Sequence, residues 1–172
     1  MDMLKTERLL IRNFRSDEWR VLQALVLQYQ TTRSAQFETP WPSTDEEIKQ
    51  LTHWFSTSDY YLAICLQEND TLIGIVSIEA RTEQGKNIRN FNYVFHPDYY
   101  GHGYASEACN EILRYLFDQL AVDGISNITH PNNHLSVRFL SKLGLFQIRP
   151  GEFSLSRRQW QTLVAEKNET NS

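Results

Sequence analysis

The spacing of apolar positions divides the chain into short strands and amphipathic helices. Leu9 to Phe14 reads as a first strand, and Trp19, Leu22, Val26 and Tyr29 fall at helical spacing within a helix expected from Ser16 to about Tyr29. Pro40 and Pro42 break the pattern in "QFETPWPS", which reads as a loop. Ser43 and Glu46 have the spacing of a capping box and predict the start of a short helix carrying Ile48, Leu51 and Phe55 on one face. Tyr60 to Gln67, Thr71 to Arg81 and Ile88 to Pro97 then read as three consecutive strands. The first two join across the polar residues Glu68 to Asp70, and Pro97 ends the third.

The clearest helix runs from Tyr104 to Ala121, where Ala105, Ala108, Cys109, Ile112, Leu116 and Leu120 recur at steps of three and four. Glu107 and Glu111 fall early in it, where the helix dipole favours negative charge. Ile125 to His130 reads as a short strand. A second helix runs from Asn133 or His134 to Leu143, with Gly144 placed as its C-terminal cap. "LFQIR" and "EFSLS" are the last strands, "RRQWQTLVAEK" is a terminal helix, and the tail from Asn168 to Ser172 is expected to fray. An uninterrupted antiparallel run followed by a helix-bearing half predicts an α/β fold of the α+β type. A single mixed, mostly antiparallel sheet flanked by helices would form one domain over residues 1–172.

Composition narrows the function classes. A chain of 172 residues can bury a substantial core without disulfides. Cys65 and Cys109 both lie in apolar periodic segments, as reduced core residues of a cytoplasmic protein would. The N-terminus has no long apolar run, which argues against a signal peptide or a membrane span. The formal net charge is -4 and no basic block stands out, which argues against a nucleic-acid partner. An anionic ligand would have to be held by local features rather than by the field of the whole protein.

One such feature is "HPDYYGHGYASEA", from His96 to Ala108. Gly101 and Gly103 lie between a strand and the start of a helix whose first N–H groups have no internal partners. Glycines let a ligand approach those groups closely, and the helix dipole adds positive potential, so the turn suits a phosphate. A tight turn with no ligand has the same pattern. The dinucleotide fingerprint is not met, because Ser106 stands where a third glycine is needed, and no Gly-Lys-Ser/Thr triplet of a P-loop occurs.

The same stretch resembles the acetyl-coenzyme A signature of the GCN5-related N-acetyltransferase (GNAT) superfamily, Arg/Gln-x-x-Gly-x-Gly/Ala, which falls here on Tyr100 to Ala105. About thirty residues on, "NNHLSVRFLSKLGLF" resembles the second coenzyme segment of that family, matched by Asn133, Ser136, Lys142, Leu143 and Gly144. The start "LKTERLLIRNF" and the end "FSLSRRQW" are similar to the branch containing ribosomal-protein N-terminal acetyltransferases. The resemblance implies the GNAT fold and transfer of acetyl from acetyl-CoA to an amine acceptor, either a protein N-terminus or a small molecule. It implies that Phe95 offers backbone groups to the pantetheine arm, that residues Gly101, His102, Gly103, Tyr104, Ala105 and Ser106 hold the pyrophosphate, and that Asn133 contacts pantetheine from the far side.

The sequence also departs from that pattern. Tyr100 replaces the consensus Arg or Gln, and His102 stands where Lys or Arg is frequent. Leu140 occupies the place of a tyrosine that acts as general acid in many relatives, so that role does not carry over. The resemblance implies that Ser136 sits near the sulfur, where its hydroxyl is the candidate proton donor to the departing thiolate; Glu79, closing the strand "GIVSIEA", is the candidate base. His96, Asn92 and His53 are weaker candidates near the chemistry, and Trp41, Trp54, Tyr60 and Tyr61 could line an acceptor pocket. The histidines and cysteines have no metal-ligand spacing, so no metal is expected. A non-catalytic acyl-CoA sensor is the alternative reading, and an exposed strand edge could support a homodimer.

Overall fold

The computed structural model describes residues 3–170. Eight strands form one mixed sheet: β1 (Leu4–Lys5), β2 (Leu9–Asn13), β3 (Tyr61–Leu66), β4 (Leu72–Glu83), β5 (Lys86–Phe95), β6 (Gly124–Ile128), β7 (Phe146–Arg149) and β8 (Glu152–Ser156). Their spatial order is β1-β2-β3-β4-β5-β6-β8-β7. Every neighbouring pair is antiparallel except β5 and β6. Five helices flank the sheet: α1 (Trp19–Gln30), α2 (Asp45–Ser56), α3 (Tyr104–Arg114), α4 (His134–Lys142) and α5 (Arg157–Thr170). The expected mixed, mostly antiparallel sheet is the one observed.

Alternation along the strands produces two cores. Leu62, Ile64 and Leu66 of β3 point to one face with Ala108, Ile112 and Leu140 from α3 and α4. Tyr61, Ala63 and Cys65 point to the other with Leu22, Val26 and Tyr29 of α1 and Ile48 and Phe55 of α2. Both cysteines are buried and free, and burial pushes the Cys65 thiol up to about 12. Among the described residues no helix is long and apolar enough to cross a membrane.

Several boundaries differ from the sequence expectation. The capping box of α2 is Thr44 with Glu47, not Ser43 with Glu46: Thr44 Oγ1 accepts from Glu47 N at 3.4 Å, and Glu47 Oε2 accepts from Thr44 N at 3.4 Å. Both pairs satisfy the same spacing, so the pattern does not choose between them. Helix α3 stops at Arg114 and widens into a π-turn over Tyr115–Gln119, with Leu120 N donating to Tyr115 O at 3.0 Å. That turn buries Leu116 and Phe117 together and leaves Leu120 exposed. Residues 168–170 are helical and continue α5, which docks through Trp160 stacked on Phe117 at 5.2 Å. Residues 171 and 172 of the predicted frayed tail lie outside the described residues. β1 was not predicted, because two residues carry no readable alternation.

The feature that positions the site is the parallel pair. β5 and β6 are in register only at Ile88–Gly124, Arg89–Ile125 and Asn90–Ser126. Beyond these the strands part, and the buried Asn127 carboxamide fills the apex of the split, donating from Nδ2 to Phe91 O at 2.6 Å and to Asn92 Oδ1 at 3.2 Å. β5 continues alone on that side to Phe95. His96 N donates to Ile73 O of β4, and Phe91 O points the opposite way, so by alternation the peptide groups of Tyr93 and Phe95 face the notch. On the far side of β5, the Phe95 ring lies where a Cβ of Gly74 would be, 2.5 Å from that position.

Candidate active site

The notch opens into a cleft of about 950 Å³, within the range of small-molecule sites. Phe95, Tyr100, Gly101, Gly103, Tyr104 and Ala105 line it on one side, with Ser106, Asn133 and Ser136 completing the set that the structure brings together. Gly101 and Gly103 have φ of +80° and +81°, a left-handed conformation that side chains rarely adopt. Gly103 is the N-cap of α3, and the first helical bond runs from Glu107 N to Gly103 O at 3.0 Å. The amides of Tyr104, Ala105 and Ser106 therefore have no partner within the helix, and these residues line the cleft.

His102 is not part of this wall. Its side chain is exposed, and its ring lies beside Tyr104 with centroids 5.9 Å apart. Its carbonyl instead accepts from Arg8 Nη1 at 3.0 Å. Arg8 in turn pairs with Glu107 at 2.6 Å and lies over the Tyr104 ring at 4.4 Å. The turn holds no Lys or Arg of its own, yet a cation from the far end of the sequence sits beside it.

The segment resembling the second coenzyme motif caps its own helix. Asn133 is the N-cap of α4, accepting at Oδ1 from Ser136 N at 3.4 Å and from Ser34 Oγ at 3.2 Å. Ser136 Oγ and Tyr93 OH are hydrogen-bonded at 2.8 Å. Burial holds the Tyr93 phenol well above its ordinary pKa, against the lowering effect of Ser136, so it stays protonated. Tyr93 was not singled out in the sequence, because it reads there only as one apolar position of an alternating strand. Leu140 is a core residue, so the chain places a phenol beside Ser136 from a strand rather than from the helix.

The candidate bases separate. Glu79 does not line the cleft. It is half-buried and its carboxylate accepts from Tyr61 OH. His96 faces a second groove of about 630 Å³ beyond α1, with Arg15, Asp70 and Tyr99, and its Nδ1 accepts from Asp98 N at 3.2 Å. His53, Tyr60 and Trp54 are exposed away from the cleft, whereas Asn92 and Trp41 line it. The cleft also contains a carboxylate with no signal in the sequence pattern, Glu38. Glu38 is exposed at the mouth of the cleft, and the protein packed around it nonetheless pushes its pKa up, against the lowering effect of the Tyr29 hydroxyl.

Comparison with known proteins agrees with this geometry. The family described as Acetyltransferase (GNAT) domain matches residues 8–145. The uncharacterized N-acetyltransferase YnaD of Bacillus subtilis (strain 168) is 28% identical over 146 residues, 83% of this chain and 81% of that protein. Two solved structures share the fold. The ribosomal-protein-S5-alanine acetyltransferase of Vibrio fischeri has a TM-score of 0.77 at 17% identity, over 93% of this chain and 99% of that one. The spermidine N-acetyltransferase of Vibrio cholerae, in complex with CoA and spermine, has a TM-score of 0.72 at 17% identity, over 91% and 99%. With most of its length matched and its sheet split beside a glycine turn, the chain belongs to the GNAT acetyltransferase family.

Proposed function

We propose that the protein transfers the acetyl group of acetyl-CoA to a primary amine, by direct attack of the amine on the thioester. The observation that carries this reading is the splitting of β5 from β6 after Asn90 and Ser126, next to the free amides of α3. Those amides and the two left-handed glycines would hold the pyrophosphate, and the Tyr93 and Phe95 peptide groups would pair with the pantetheine arm. Asn133 keeps its Nδ2 for the same arm while its Oδ1 caps α4. A β5 amide in the notch would stabilise the tetrahedral oxyanion. The Ser136–Tyr93 hydroxyl pair would protonate the departing thiolate.

The acceptor is a protein N-terminal amine or a small-molecule amine. Resemblance to the ribosomal-protein branch supports the first, and the fold shared with a spermidine acetyltransferase is compatible with the second. Burial of both thiols fits a reducing, cytoplasmic setting. Thiol release from acetyl-CoA in the presence of Ala- and Ser-starting tetrapeptides, phenethylamine and spermidine tests the reading. Amine-dependent release supports it, and coenzyme binding without release on any amine refutes it.

A further inference from the structure

We propose that Glu38 binds the ammonium group of the acceptor and takes its proton before attack, an assignment that rests on the acetyl-transfer reading above. Glu38 follows the short 3-10 helix Ser34–Phe37, in a segment that straps across the mouth of the cleft from the end of α1. The strap is tied to the opposite wall at two points. Ser34 Oγ donates to Asn133 Oδ1 at 3.2 Å, and the Phe37 ring stacks on His130 with centroids 4.8 Å apart and planes 15° apart. Gln30 Nε2 donates to Trp41 O at 3.0 Å and holds its far end. Glu38 is thus fixed over the same cavity that contains Ser136 and the β5 notch.

The carboxylate is arranged to receive a cation. Tyr29 OH donates to Oε1 at 2.8 Å, and none of the described hydrogen bonds or ion pairs uses Oε2. No basic side chain among the described residues is paired with it, in contrast to Glu18 and Glu107, which are held by arginines. The titratable groups that feel its charge are the phenols of Tyr29 from α1, Tyr93 from β5 and Tyr100 from the glycine turn; His130, Lys142 and Glu152 also line the cavity. Tyr29, Phe37 and Trp41 give the cavity aromatic walls beside the Glu38 carboxylate, which suits an ammonium carried beside apolar atoms.

The protons balance with this assignment. The ammonium gives one proton to Glu38, and the free amine forms the C–N bond to the thioester carbonyl. Collapse of the tetrahedral adduct breaks the C–S bond. The second amine proton passes to solvent, the thiolate is protonated through Ser136 and Tyr93, whose proton solvent restores, and Glu38 releases its proton to solvent, leaving one net proton per transfer.

The test compares wild type, Glu38→Gln and Glu38→Asp with acetyl-CoA and the same four amines, alongside calorimetric titration of acetyl-CoA and thermal unfolding. The expected result is a loss of at least about 10²-fold in kcat/KM for the amine in Glu38→Gln. Acetyl-CoA affinity and Tm should stay those of the wild type, and Glu38→Asp should recover part of the rate. The wild-type rate should also fall on acidification through a carboxylate pKa above the ordinary value of about 4.3, and this limb should be missing in Glu38→Gln. Wild-type turnover that Glu38→Gln matches in rate and pH profile would overturn the role of Glu38 alone. A wild type that binds acetyl-CoA and acetylates none of the amines would overturn the transfer reading and Glu38's role with it.

Discussion

Arg8 Nη1 donates to the backbone carbonyl of His102 at 3.0 Å, so the bend between β1 and β2 holds the glycine turn by its main chain and not by the imidazole. The two residues are 94 positions apart, and the same guanidinium is paired with Glu107 in the first turn of α3. Removing the imidazole leaves this contact intact.

His102→Ala should therefore change acetyl-CoA affinity only slightly. Gly103→Val forces a β-branched residue to φ +81°, beside Arg8 Nη2 at 3.5 Å from the new Cβ. Strain of roughly 1–3 kcal/mol at such a position corresponds to a loss of up to about 100-fold if it falls on the bound turn. Calorimetric titration of both variants checks the contrast. Comparable losses in the two would mean that the imidazole itself bears on the ligand.

Glu107 makes the same tie sensitive to acid. Burial would raise its pKa, but hydrogen bonds from Thr6 Oγ1, Arg8 N and the Arg8 guanidinium outweigh it and hold the carboxyl below the usual range. A folded pKa below the unfolded one contributes stability that is complete above the unfolded value and is lost as pH falls through the folded value. Glu107→Gln should lower Tm at pH 7, and its gap from the wild type should close below about pH 4, the ordinary carboxylate region. Thermal unfolding across pH 2–7 measures the gap, and one as wide at pH 2 as at pH 7 would not come from the charge.

Tyr93→Phe and Ser136→Ala should each lower kcat by about 10²-fold at saturating acetyl-CoA, the low end for a proton donor because a thiolate leaves readily. The two hydroxyls touch at 2.8 Å and act as a unit, so the double variant should be little worse than either single one. Steady-state kinetics of the three variants test this, and fully additive losses would separate the two groups.

Asn127→Ala removes the side chain that fills the apex of the notch and leaves the Phe91 carbonyl, bonded at 2.6 Å, without its donor. An unsatisfied buried carbonyl costs roughly 1–3 kcal/mol, to be read from urea unfolding. The coenzyme KM should rise as well, because that carbonyl fixes where β5 and β6 part. A stability loss with an unchanged KM would leave Asn127 with a structural role only.

What the sequence carried well was local. The glycines at 101 and 103, the stepped apolar face of α3 and the turn at Glu68–Asp70 each depend on neighbours within a few positions. Pairs brought together by folding left no such trace. Tyr93 and Ser136 are 43 positions apart, and Arg8 and Glu107 are 99 apart. Glu38 lies in a proline-broken loop with no period to mark a face, whereas Glu79 ends a clearly alternating stretch. The strand pattern made Glu79 legible but did not determine what it would face. The π-turn after Arg114 was hidden for a related reason, since one extra residue in a turn shifts the apolar stripe without interrupting it.

In the proposed reaction, the two cores on opposite faces of the sheet also divide the work between the substrates. The coenzyme side rests on α3 and α4, which pack with Leu62, Ile64 and Leu66, while the strap bearing Glu38 rests through Tyr29 on the core of Ala63 and Cys65. Repacking the second core can reshape the acceptor wall while the pyrophosphate turn keeps its geometry. Acceptor choice can thus drift across generations of this scaffold while the acyl donor stays the same.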